Sequence, residues 1–235
     1  MLVIRNASGE GIRHAALVGI LLTLLVAGPL LPDFAVGATF VWVMISIVWI
    51  LSEGRRAEML TSVALTVIAA GLTGIAPALS GGGWAAGTSV ALLLLFVVLL
   101  GQACRLILRS LLREQRVGVE TILGAIGLYL LIGFAWAAVF SLVDLMGPES
   151  FAGLHGREAA EAAGVAGPLI DSRLIYFSFV SLTTLGYGDI TPQTALAERL
   201  SALEAIMGQF YIAVVVAYLV SSYFAQRRAP GKPDA

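Results

Sequence analysis

Residues 183–189 read Thr-Thr-Leu-Gly-Tyr-Gly-Asp and lie between a short apolar stretch (174–182) and a long one (200–224). The chemistry open to this run lies mainly in its backbone. Successive carbonyl oxygens directed to one side can replace the water shell of a cation. An ordinary strand alternates its carbonyls, so such a run must visit left-handed conformations, which glycine adopts without steric cost. Gly186 and Gly188 supply that freedom at alternate positions. Thr184 offers a hydroxyl beside its carbonyl at one end. Tyr187 is suited to turn its ring outward, pack on neighbouring aromatics and hold the width of the opening. Asp189 closes the other end and can accept a hydrogen bond from the Tyr176 hydroxyl.

Gly-Tyr-Gly alone would read as a glycine turn between two helices. Seven residues in this order, in an apolar setting, resemble the selectivity filter of the tetrameric potassium channel superfamily, which is close to Thr-Val-Gly-Tyr-Gly. Leu185 stands where Val is usual and keeps the carbonyl that would touch the ion. The resemblance implies K+ as the permeant ion, held at Thr184, Leu185, Gly186 and Tyr187, with Gly188 completing the filter. Tyr176, Thr183, Asp189 and Glu204 are the candidates to support it. One chain supplies a quarter of such a ring, so a homotetramer is implied. No cofactor and no catalytic residue are expected.

The elements around the run must belong to a membrane. The chain is 59% hydrophobic and 12% charged, with a mean hydropathy of +0.93. A bilayer span needs about 20 apolar residues. Six stretches qualify: 15–31, 34–51, 59–79, 85–104, 119–145 and 200–224. The expected fold is an all-α integral membrane protein with six transmembrane helices, a re-entrant pore helix and a filter loop. Cytoplasmic loops carry the excess of Lys and Arg. With both termini cytoplasmic, 11 of the 14 basic residues lie inside, and only Arg157, Arg173 and Arg199 lie outside. That orientation puts the filter near the outer face of a cell (inner) membrane. The first span reads as retained rather than as a cleaved signal, because its apolar region is long and 35–38 is a weak cleavage site. The 13 Arg against one Lys hint at a GC-rich bacterial genome.

Five regions follow: a cytoplasmic N-terminus (1–14), a four-helix peripheral domain (15–104), an amphipathic cytoplasmic linker (105–118), a pore domain (119–225) and a short tail (226–235). The pore domain runs outer helix, external turret, pore helix, filter, inner helix, the layout the resemblance implies. Pro168 stops the turret, and Asp171 is the expected N-cap of a pore helix over 172–183. About 12 residues give roughly 18 Å, half a bilayer. The helix therefore aims the partial negative charge of its C-terminus at the membrane centre, where it favours a cation. Phe177 and Phe179 read as core packing. Gly208 sits where many channels of the family carry a hinge glycine, and close helix packing is an equal reading. Glu204 is a carboxylate in a span and so a functional candidate. Two roles are open: support behind the filter, bonded to Ser178, Ser181 or Thr183, or exposure to the pore. Support is preferred, because a desolvated carboxylate pairs or takes a proton.

The front end lacks the pattern of a voltage sensor, which needs several Arg inside the membrane field. Residues 85–100 hold no charge, and Arg105, Arg109, Arg113 and Arg116 follow the span on one helical face. They read as a lipid-facing linker at the inner surface, snorkelling toward anionic headgroups. Asp33, Glu53 and Glu58 fall at span ends. With only 225–235 after the last span, no attached ligand-binding domain is expected. Cys104 is alone, so no intrachain disulfide forms, and it reads as a small buried residue. His14 and His155 fall on opposite sides of the membrane in this topology. Nothing indicates nucleic-acid binding, phosphate loops, metal spacing or a nucleophile–base pair. The expected function is passive K+ conduction without strong voltage gating. The alternatives are a voltage-gated or weakly selective cation channel, a potassium transporter and a non-conducting membrane sensor. A single-chain transporter carries four related pore repeats, and this chain has one.

Overall fold

The computed structural model describes residues 2–27, 85–113, 118–147, 149–154 and 170–228. The expected spans at 34–51 and 59–79, most of the turret and Arg116 lie outside the described residues.

Helix α1 spans Leu2–Ala27, α2 Ala85–Arg113 and α3 Val119–Met146. Leu17, Leu21 and Leu24 recur at helical spacing on α1 and are buried. On α2 the buried stripe is Leu93, Phe96, Leu100, Ala103, Ile107 and Leu111. These two stripes meet Leu128, Leu131, Phe134 and Ala138 of α3 in one core. Helix α3 is apolar on all sides because neighbours cover it on several: α1, α2, the pore helix and the inner helix all pack against it.

The pore helix α4 is Ser172–Leu182, 11 residues long. Its N-cap is Asp171, whose carboxylate accepts from the Arg173 N–H at 2.8 Å. The inner helix starts at Ala195, where the Thr194 hydroxyl accepts from the Ala197 N–H at 3.3 Å. It begins earlier than the apolar pattern from 200 suggested. It runs as α5 (Ala195–Phe210), a π-helical segment (Tyr211–Val216) and α6 (Ala217–Arg228). Among the described residues, three helices are long and apolar enough to cross a membrane, over Val90–Arg109, Val119–Met146 and Ala195–Phe224.

Two short strands brace the region around residues 183–189. Strand β1 (Phe151–Ala152) pairs antiparallel with β2 (Thr191–Pro192), with Phe151 opposite Pro192 and Ala152 opposite Thr191. Phe151 also joins Phe140 of α3 and Phe177 of α4 in an aromatic triangle, with centroids 5.2–5.4 Å apart and edge-on rings. This cluster ties the segment before the pore helix to the segment after residue 189.

Candidate functional site

The site begins where α4 ends. Thr183 is the C-cap, and the backbone then turns through left-handed conformations at alternate residues: Thr184 (φ 58°), Gly186 (φ 62°) and Gly188 (φ 77°). The sequence pointed to the two glycines, and the threonine joins them. Three consecutive N–H groups are used on the pore helix itself. Thr184 N–H donates to Ser181 O (2.9 Å), and Leu185 and Gly186 N–H both donate to Val180 O (2.9 and 3.4 Å). A trans peptide holds its N–H and C=O on opposite sides. The carbonyls of Thr183, Thr184 and Leu185 therefore all point away from α4. Residues 183–189 are exposed along their whole length.

Side chains hold this run in place. The Thr184 hydroxyl donates to Thr183 O (2.7 Å) and accepts from Gln209 Nε2 (3.1 Å), which links the run to α5. Thr183 spends its hydroxyl on Phe179 O at 2.6 Å. The Tyr187 ring lies parallel to Tyr176, 6.5 Å away and 5° from coplanar. Tyr176 thus braces the Tyr187 ring from the pore-helix side.

Behind the run, Glu204 of α5 is fully buried. Its Oε1 lies 2.5 Å from Ser178 Oγ, one of the three partners considered from sequence. Ser178 Oγ also lies 2.7 Å from the Gly133 carbonyl of α3. Glu204 thus faces protein and joins three helices. Gly208 lies one turn further on, with its backbone against α4. A Cβ built there would fall on the Leu182 carbonyl oxygen, so the close approach itself requires glycine.

Sequence reasoning passed over three contributors. Tyr129 of α3 donates to Leu182 O at 3.2 Å, at the foot of the pore helix. Tyr211 donates to Ala125 O at 2.6 Å and packs on Tyr129 at 5.3 Å. Gln209 touches Thr184 directly. Each is a polar group on an otherwise apolar span, which is the signal that singled out Glu204 and applies equally to them. Arg105 and Arg109 are exposed on α2, which continues without a break to Arg113. They lie away from the run at 183–189, on the end of α2 rather than on a separate helix.

Residues 171–225 match the family model described as "Ion channel". The match starts at the N-cap of α4 and takes in the pore helix, the left-handed run and nearly all of the inner helix. Over 86 residues the chain is 36% identical to "Two pore potassium channel c" of Oryza sativa subsp. japonica. That alignment covers 36% of this chain and 18% of the rice protein, less than a fifth of its length. No solved structure is significantly similar to the chain. Among the described residues three helices have spanning length, as in a multi-pass membrane protein, and residues 171–225 are similar to ion channels; both similarities are to channels rather than enzymes.

Proposed function

We propose that four copies of this chain form a potassium-selective channel that conducts K+ passively through a filter of Thr184, Leu185, Gly186, Tyr187 and Gly188. The observation that carries the reading is the left-handed backbone at Thr184, Gly186 and Gly188, with the N–H groups of Thr184, Leu185 and Gly186 anchored on α4. That arrangement turns successive carbonyls to one exposed side, as replacement of a hydration shell requires. Around a fourfold axis these carbonyls form stacked oxygen rings. Tyr187 on Tyr176, and Asp189 on Tyr176, brace the outer mouth. The pore helix directs its C-terminal partial negative charge toward the ion's path. The printed name of the rice relative, a potassium channel, supports K+ as the ion.

The chain needs no cofactor for this, since the ion is cargo. Gating is not strongly voltage-dependent, because the arginines described lie at the end of α2 rather than within its apolar middle. Arg105, Arg109, Arg113 and Arg116 engage anionic lipid at the inner leaflet. The protein lies in a bacterial cell membrane with both termini in the cytoplasm.

The test is the reversal potential of purified protein in a planar bilayer, with potassium on one side and sodium on the other. Reversal near the potassium equilibrium potential is expected. Measurable current reversing near zero would reject selectivity and turn attention to Leu185.

A further inference from the structure

Ser178 owns one hydroxyl hydrogen, yet its Oγ lies within hydrogen-bond distance of two oxygens. Gly133 O is 2.7 Å away and can only accept. Glu204 Oε1 is 2.5 Å away and, as a carboxylate, can also only accept. Two oxygens at such separations need a hydrogen between them. One serine proton cannot make a well-aligned short hydrogen bond to both. Both are satisfied if Ser178 donates to Gly133 O and the Glu204 carboxyl donates to Ser178 Oγ. The other oxygen, Glu204 Oε2, is buried without a hydrogen-bond partner among the described residues, which suits a neutral acid and penalises an anion.

We infer that Glu204 is a proton-bearing positioning residue, a neutral carboxylic acid whose O–H completes the chain Glu204–Ser178–Gly133 and locks the inner, pore and outer helices behind the filter. The inference rests on the filter reading for its functional consequence, though the location of the proton does not. Val180, whose carbonyl receives the Leu185 and Gly186 N–H groups, is two residues from Ser178. Loss of the proton would set a bare carboxylate oxygen against Ser178 Oγ and leave a buried charge half-paired. The pore helix would then shift, and with it the anchor of the filter backbone.

Few other groups compete for this titration among the described residues. From α3, the Tyr129 hydroxyl is engaged with Leu182 O. From α4, Arg173 and Tyr176 lie in the first two turns, where Tyr176 is engaged with Tyr187. From the inner helix, Glu198 and Arg199 lie at its outer end, and Tyr211 is bonded to Ala125 O.

Two readouts on the full-length tetramer test this. Infrared spectra of wild type and E204Q at neutral pH should differ by the carbonyl stretch of one protonated carboxylic acid per chain. Absence of that band from the wild type overturns the inference. In bilayers, K+ current and its selectivity over Na+ should fall as the wild type is taken to alkaline pH. The conservative E204Q, whose amide still donates to Ser178, should retain current with a flat pH profile. S178A, which removes the bridge, should lower the K+ over Na+ permeability ratio by about tenfold, the scale of one lost buried hydrogen bond. A band in the wild type with identical pH profiles in wild type and E204Q would overturn the positioning role. If neither protein conducts selectively at any pH, the filter reading fails, and the infrared band still decides where the proton is.

Discussion

Gly186 carries a backbone demand that an L side chain meets only at a conformational cost. Its φ is +62°, and an added Cβ would meet no atom within 4 Å in the same chain. Alanine there suffers no steric clash inside the subunit. Its cost is conformational, roughly 1–2 kcal/mol for an L-residue held in the left-handed region, and in the proposed tetramer it recurs in each copy. G186A is therefore expected to assemble normally by native mass spectrometry while its K+ conductance falls at least about tenfold. Wild-type conductance and reversal potential in a verified G186A tetramer would remove residues 184–188 from the ion path. The glycines were legible in the sequence because glycine is where such geometry is cheapest. Thr184 was not, since a β-branched residue at positive φ is an outlier on propensity alone. It is held there by bonds to Thr183 O and Gln209, and the Gln209 bond comes from a residue 25 positions away. Gly208 was legible as special but not in kind. Its contact with the Leu182 carbonyl is a tertiary fact and shows a packing demand at the position read equally as a hinge.

At the scale of elements, apolar periodicity located the helices it was able to see. The outer helix was expected over 119–145 and spans Val119–Met146, and the pore helix was expected over 172–183 and spans Ser172–Leu182. Helix α2 runs past 104 because Ile107 and Leu111 extend the buried stripe of Leu100 and Ala103. The inner arginines are thus an extension of a packed helix, with Arg105 and Arg109 exposed beside that stripe. The π-helical turn at Tyr211–Val216 left no mark in composition, because it is a change of hydrogen-bond register, and Tyr211 is fixed there by Ala125 O on another helix. A basic residue near an anionic surface contributes about 1 kcal/mol of attraction. Replacing Arg105, Arg109, Arg113 and Arg116 by Gln removes up to roughly 4 kcal/mol per chain by that measure. The expected result is that open probability in planar bilayers no longer rises with the fraction of anionic lipid, while its voltage dependence stays as in wild type. A large loss of gating charge in the same variant would instead make α2 a voltage sensor.

The whole molecule is incomplete as a single chain in a bilayer. Irregular backbone is tolerated at membrane depth only where protein buries it or where it lines water, and residues 183–189 are exposed in the isolated chain. The inner helix shares that condition. Within its most apolar 18 residues only 17% are buried, against 61% for the outer helix, and Leu203, Ile206, Met207, Phe210 and Val214 are exposed along it. Lipid can cover an apolar helix face, but it cannot hydrate the carbonyls of Thr184 and Leu185. Copies of the chain arranged about an axis solve both problems at once, because they enclose the filter and cover part of the inner helix. On the proposed reading the carbonyls turned away from α4 face a closed ring, and the resemblance of residues 183–189 implies that it has four members. Cross-linking of the protein in native membranes should therefore give a ladder that ends at the tetramer, and native mass spectrometry of the solubilised protein should find that species alone. Addition of K+ should raise the tetramer's thermal stability more than Na+ does, since a bound ion stabilises the state that binds it by mass action. A ladder ending at the dimer, or equal stabilisation by both ions, would mean that the exposed backbone is completed in some other way.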